Sequence, residues 1–136
     1  MTVLVFGTFD IVHPGHLDFF RQARSFGDRL VVGLARDITV KKVKGRLPLH
    51  NENERRSALT HIDLIDEVIL GDTKDYYQVL ERVRPDVIAL GYDQKIFVDK
   101  LADEIKKRGL AARVVRLKPF HPEKYKSSRL RGQTSM

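Results

Sequence analysis

The chain has 136 residues and 42% hydrophobic content, which suits one globular unit with one ordinary core. It has no cysteine, which excludes disulfides, thiolate metal sites and thiol nucleophiles, and no apolar run of the roughly 18 residues that a membrane span needs. The net charge of +7 is concentrated late, since from Arg113 onward seven Lys and Arg stand against one Glu and the rest is close to neutral. Such a basic end can serve a polyphosphate ligand, nucleic acid, a membrane surface, or solubility alone. The opening "MTVLVF" lacks the charged start and cleavage site of a secretion signal, so a cytoplasmic protein is expected.

"TVLVF" (2–6) is short, apolar and rich in β-branched residues, as in a strand buried on both faces of a parallel sheet. From Pro14, the residues Leu17, Phe20 and Ala23 recur at helical spacing until Gly27 offers a stop. "RLVVGLA" (29–35) is the next strand, and the strand–helix–strand unit implies a right-handed crossover. "RDITVKKVKGRLPLHNE" is polar, basic and broken by Gly45 and Pro48, and it reads as a long loop with a function. Asn51 and Glu54 form a capping pair for a helix carrying Arg55, Arg56, Leu59 and Ile62. "DEVILG" is a strand, 76–83 a helix ended before Pro85, and "PDVIALG" a strand ending at Gly91. "VDKLADEIKKRG" is an amphipathic helix with Leu101 and Ile105 inward, and "ARVVRL" is the last strand. The alternation predicts an α/β fold: a Rossmann-like, doubly wound, five-stranded parallel sheet in a single domain, residues 1–136, with 119–136 as a basic C-terminal segment. Ligands of such folds sit beyond the carboxyl ends of the strands, where strand order reverses.

"GTFDIVHPGH" follows the first strand and opens the first helix. A helix N-terminus carries N–H groups without helical partners and a partial positive charge. Pro14 has no N–H to waste there, Gly15 lets a bulky anion approach, and His13 and His16 can add imidazole donors. The spacing supports a phosphate site. A zinc site would need further ligands, and His50, His61 and His121 lie in unrelated contexts. A general base would need a nucleophile with a clear partner. The plainest alternative is a helix-capping turn with incidental histidines.

"GTFDIVHPGHLDFFRQAR" resembles the start of the cytidylyltransferase-like nucleotidyltransferases, with their G-T-F-D and H-x-G-H signature. "RDITVKKVKG" is similar to their basic loop, "NENERRSAL" to their arginine-bearing helix start, and "KYKSSRLR" to their late Ser/Thr motif. "IDEVILG" and "LGYDQ" follow in the family's order. "ARDITVKKVKGR", "ERRSAL" and above all "LGYDQ" look most like the archaeal type of FAD synthase, an FMN adenylyltransferase.

The resemblance implies an in-line attack by an acceptor phosphate on the α-phosphorus of a nucleoside triphosphate, with loss of pyrophosphate. ATP would be the co-substrate and FMN the acceptor, with Mg²⁺ or a similar divalent ion carried by the nucleotide and no protein metal site. His13, His16, Lys41 and Arg55 take the catalytic roles. Thr8, Phe9, Pro14, Gly15, Lys44, Asp93, Ser127 and Ser128 bind the nucleotide and its phosphates, with Arg129 and Arg131 beside the serines. Asp10 is expected to order its loop. An apolar slot for the flavin could come from Tyr92, Phe97, Phe120 or Tyr125. A homodimer is inherited from the superfamily, and neither membrane nor nucleic acid is favoured as a partner. The competing readings are a CTP-dependent enzyme acting on glycerol 3-phosphate, a heptose-phosphate nucleotidyltransferase, and a non-catalytic nucleotide- or nucleic-acid-binding module.

Overall fold

A computed structural model describes residues 1–95 and 98–120. Five strands, β1 (Thr2–Gly7), β2 (Arg29–Leu34), β3 (Glu67–Leu70), β4 (Val87–Leu90) and β5 (Arg113–Arg116), form one sheet in the order β3-β2-β1-β4-β5. Every pairing is parallel. The central strand β1 runs Thr2 to Gly7 against Arg29 to Leu34 on one side, and pairs Val3 and Leu4 with Val87 and Ile88 on the other.

The two-residue period of each strand sends alternate side chains to opposite faces. Val3, Val5, Leu30 and Val32 pack with Phe20 and Ala23 of α1 (Pro14–Arg24) and Leu59 of α3 (Glu52–Thr60). Leu4, Val31, Ile69 and Ile88 pack on the other face with Val79 and Leu80 of α4 (Gln78–Val83) and with Leu101 and Ile105 of α5 (Leu101–Lys107). Both faces of the sheet are therefore covered, as the apolar strand sequences required. Among the described residues, no helix is long and apolar enough to cross a membrane.

One element departs from the sequence expectation. Residues expected to be loop form α2 (Asp37–Lys44), which buries Thr39 and Val40 and ends at Gly45 in the left-handed conformation, φ 84°. Its β-branched residues weaken intrinsic helix propensity, but burial of one side, Asp37 in the first turn, lysines in the last and the glycine cap outweigh that.

Strand order reverses between β1 and β4. Gly7 and Gly91 stand at that reversal, and a cleft of about 1730 Å³ opens beyond the strand ends. Pockets for one small ligand typically occupy about 300–1,000 Å³, so this cleft has room for two.

Candidate active site

The cleft begins where β1 turns into α1. Phe9 takes a left-handed backbone, φ 48°, which is rare outside glycine and brings its ring back over the strand end. A Cβ on Gly7 would lie 2.6 Å from that ring, so glycine is required there by close approach. The Phe9 ring is buried against Phe20 and meets His16 edge-on, with centroids 5.4 Å apart. Among the described residues, the backbone N–H groups of Thr8 and Phe9 have no hydrogen-bond partner, and both residues line the cleft.

His13 is the N-cap of α1. Its Nδ1 accepts the N–H of Gly15 at 3.0 Å, and Nδ1 of His16 accepts the N–H of His13 at 3.3 Å. The two histidines thus form a reciprocal capping box, a task usually given to Ser or Thr with Glu. The capping alternative is correct for the Nδ1 atoms, and it has a chemical consequence. A nitrogen that accepts a hydrogen bond carries no proton, so each neutral ring is the Nε2–H tautomer. The rings stack with centroids 4.0 Å apart and line the cleft. Burial lowers the pKa of His13. Burial, and then the charge of His13, lower His16 from 6.5 to about 4 against the opposing pull of the Ile11 backbone. Both rings are neutral donors at pH 7. The Gly15 N–H, expected to face a phosphate, is already engaged by His13.

The His16 shift predicts a pH dependence of stability. Between about 6.5 and about 4 the unfolded chain takes up a proton that the folded chain does not. This contribution is complete above pH 6.5 and is lost progressively as pH falls towards 4. Urea midpoints should fall between pH 7.5 and pH 5 in the native protein and fall less in His16→Asn, whose amide oxygen can still cap. Equal falls would refute the assignment.

Lys44 of α2 reaches across the cleft, its Nζ donating to Thr8 Oγ1 at 3.3 Å. Lys41 is exposed and does not line the cleft, whereas Lys44 and Arg46 do. Arg55 also departs from expectation. It is 1% exposed and is absent from the cleft lining. Its Nε donates to His50 O at 3.0 Å, one terminal nitrogen to Thr8 O at 2.9 Å and Ala35 O at 2.8 Å, and the other to Asp37 Oδ1 at 2.7 Å. Four of its five N–H donors tie Thr8, the Ala35–Asp37 segment and His50 together, and the buried fork faces these acceptors rather than the cleft.

On the far side of β1, Gly91, Tyr92, Asp93, Gln94 and Lys95 line the cleft. Arg116 fixes this turn by donating to Gly91 O at 2.8 Å and to Gln94 O at 2.5 Å. Gln94 returns to the backbone N–H of Gly91 at 3.2 Å and to Phe6 O at 3.4 Å. Asp93 is exposed beside them. Pro14 lines the cleft, as does Phe120, which approaches Gly15. Ser127, Ser128, Arg129, Arg131, Phe97 and Tyr125 lie outside the described residues.

One further contributor was anticipated and two, His50 and Gln22, were not. Asp10 was expected to order its loop, and its carboxylate accepts the N–H groups of Leu49 at 2.7 Å and His50 at 2.8 Å. Burial alone would raise its pKa, but the N–H groups of His50 and Leu49 and the His50 ring hold it below the ordinary value. His50, read as unrelated, is the partner of that carboxylate. Gln22 accepts the N–H of Lys118 and donates to Lys118 O, both at 2.9 Å, pinning the last described segment to α1. These partners are dozens of residues apart, so no local spacing announces them.

Comparison with known proteins agrees with this fold. Residues 4–133 match the family model described as cytidylyltransferase-like. The chain is 47% identical to the FAD synthase of Aciduliprofundum boonei over 87% of its length and 78% of the relative's. It is 44% identical to the FAD synthase of Methanothermobacter thermautotrophicus over 95% and 83%. A crystal structure of a lipopolysaccharide core biosynthesis protein from Thermoplasma volcanium superposes with a TM-score of 0.82 at 36% identity, covering 88% of this chain and 98% of that one.

Proposed function

The chain belongs to the cytidylyltransferase-like family, and on that premise we propose that it transfers AMP from ATP to the phosphate of FMN, giving FAD and pyrophosphate. The observation that carries the chemistry is the pair of neutral histidines whose Nδ1 atoms are held by the backbone and which both line the cleft. The choice of ATP and FMN is supported by relatives named FAD synthase that match most of the chain.

An oxygen of the FMN phosphate attacks the α-phosphorus of ATP in line with the departing pyrophosphate. One P–O bond forms, one breaks, and the leaving group takes the electron pair. The attacking oxygen is already anionic, so no general base is needed. Catalysis is then positioning and charge stabilisation. His13 and His16 donate from their rings to the α-phosphoryl oxygens and the leaving group, and the N–H groups of Thr8 and Phe9, unpaired among the described residues, add donors. Lys44 draws the two phosphates together. Pro14 and Gly15 set the start of α1, and Asp93 accepts from the ribose or the base. Lys41 keeps only the catalytic role, and Ser127 and Ser128 only the phosphate-binding roles, that the family resemblance gives them. Arg55 acts as a positioning residue by fixing the carbonyls of Thr8 and Ala35.

A divalent ion is implied by the triphosphate chemistry. Among the described residues, no group of three or more His, Asp or Glu could hold one. The fit to a protein-held ion is poor, and the ion is assigned to the nucleotide.

Incubating the protein with ATP, Mg²⁺ and FMN should yield FAD and pyrophosphate. CTP with glycerol 3-phosphate or a heptose phosphate should yield neither a nucleotide adduct nor pyrophosphate. Product only in the CTP arms would overturn the proposal. Gly15→Ala offers a sharper test, because its Cβ would meet His13 Cε1 at 2.8 Å and Nδ1 at 3.0 Å. Turnover should fall at least tenfold, the size of effect expected when a donor is misplaced, while stability changes by about 1 kcal/mol, the usual worth of a cap. Unchanged turnover would show that the His13 position does not matter.

A further inference from the structure

Of the nine large apolar side chains exposed among the described residues, four line one part of the cleft: Ile11 at 56% exposed, Val43 at 40%, Leu47 at 59% and Leu49 at 75%. They come from the β1–α1 loop, the last turn of α2 and the loop after it, on the β2 side of β1. Water is a poor neighbour for so much hydrocarbon, and exposed apolar clusters rimmed by polar groups mark binding sites.

The segment that carries Leu47 and Leu49 is anchored. Asp10 accepts from the backbone N–H groups of Leu49 and His50, and buried Arg55 donates to His50 O. The backbone is thus secured from below while the leucine side chains remain in solvent.

Cations are interleaved with these residues. Lys44 follows Val43 and reaches Thr8, and Arg46 precedes Leu47. Among the described residues Arg46 makes no hydrogen bond or ion pair, although it lines the cleft. A flat apolar ring with an anionic tail matches this pattern: the ring covers hydrocarbon and the tail meets the cations near the histidine pair.

Resting on the FMN reading above, we propose that Ile11, Val43, Leu47 and Leu49 form the seat of the flavin ring, with Lys44 and Arg46 taking the FMN phosphate. The seat lies on the β2 side of the cleft, away from Tyr92 on the β4 side. Tyr92 and Phe120, the described aromatic residues that the sequence suggested, are not its walls.

The test is the double variant Leu47→Ser, Leu49→Ser, with Val114→Ser, an exposed β5 position outside the cleft lining, as control. Neither leucine is in the core, so the thermal midpoint should be retained. The KM for FMN should rise tenfold or more, the scale on which apolar contacts discriminate, while the KM for ATP stays within about twofold. Riboflavin fluorescence gives a second readout without turnover: the double variant should bind riboflavin at least tenfold more weakly than wild type or Val114→Ser. Unchanged FMN KM and riboflavin binding would overturn the seat. So would the same effects arising from Tyr92→Ser instead, or a change in oligomeric state with FMN KM unmoved, which would make the patch a contact between copies. A wild-type protein that binds riboflavin through these leucines but forms no FAD would fail the proposed function and leave the seat standing.

Discussion

Replacing His16 by alanine should lower kcat by about 10²–10³-fold, the usual cost of removing one aligned donor from a developing oxyanion. The same change also deletes a cap, because His16 Nδ1 accepts the N–H of His13. A cap is worth about 1 kcal/mol, so His16→Ala should still fold at 25 °C. His16→Asn separates the two effects: its amide oxygen can serve the N-cap, but its short side chain offers no donor at the Nε2 position. Stability close to wild type with a kcat still lowered about 10²-fold is the expected result for His16→Asn. Near-normal FAD formation in both variants would remove His16 from catalysis. A rise in the KM for ATP with kcat unchanged would reduce its role to ground-state binding.

Arg55 gives the second large effect, and of a different kind. Its guanidinium is buried and satisfied by three carbonyls and Asp37. Arg55→Ala strands those carbonyls and leaves Asp37, whose side chain is 29% exposed, without its cation. Breaking such a buried pair costs roughly 3–5 kcal/mol, a large part of the stability of a domain this size. Arg55→Lys should recover little, since one ammonium cannot span four acceptors fixed by a planar fork. Urea unfolding measures the loss directly. If Arg55 were a phosphate ligand instead, both variants would keep wild-type stability and lose only affinity for ATP. That outcome would reverse its assignment as a positioning residue.

The sheet was legible because strand burial is written locally. "TVLVF", "RLVVGLA" and "PDVIALG" are apolar on both faces, and only a parallel sheet covered by helices buries both. The histidine motif was legible because spacing and helix entry are local too. α2 reads as loop in the sequence because the stretch is polar and basic and is broken by Gly45 and Pro48, and Ile38, Thr39, Val40 and Val43 add no helix propensity. The useful signal was Asp37 followed by Gly45 eight positions on, a helix start and a helix stop. Arg55 was recognised as important but given the wrong neighbours. Its four acceptors come from Thr8, Ala35, Asp37 and His50, which meet only when the sheet has closed. The double use of the histidines was equally hidden, since a sequence names a residue and not which of its ring nitrogens is engaged.

The order β3-β2-β1-β4-β5 also bears on how the chain is made. β1 can pair with β2 as soon as residue 34 has emerged from the ribosome, but its other edge waits for β4, which begins at Val87. At about 5–20 residues per second that wait lasts roughly 3–10 s. For those seconds a fully apolar strand presents open N–H and C=O groups to whatever else is nearby, and the loop bearing both histidines hangs from a half-built support. Proteolysis of ribosome-bound chains stalled before and after Leu90 should show protection of the first strand arriving with the fourth.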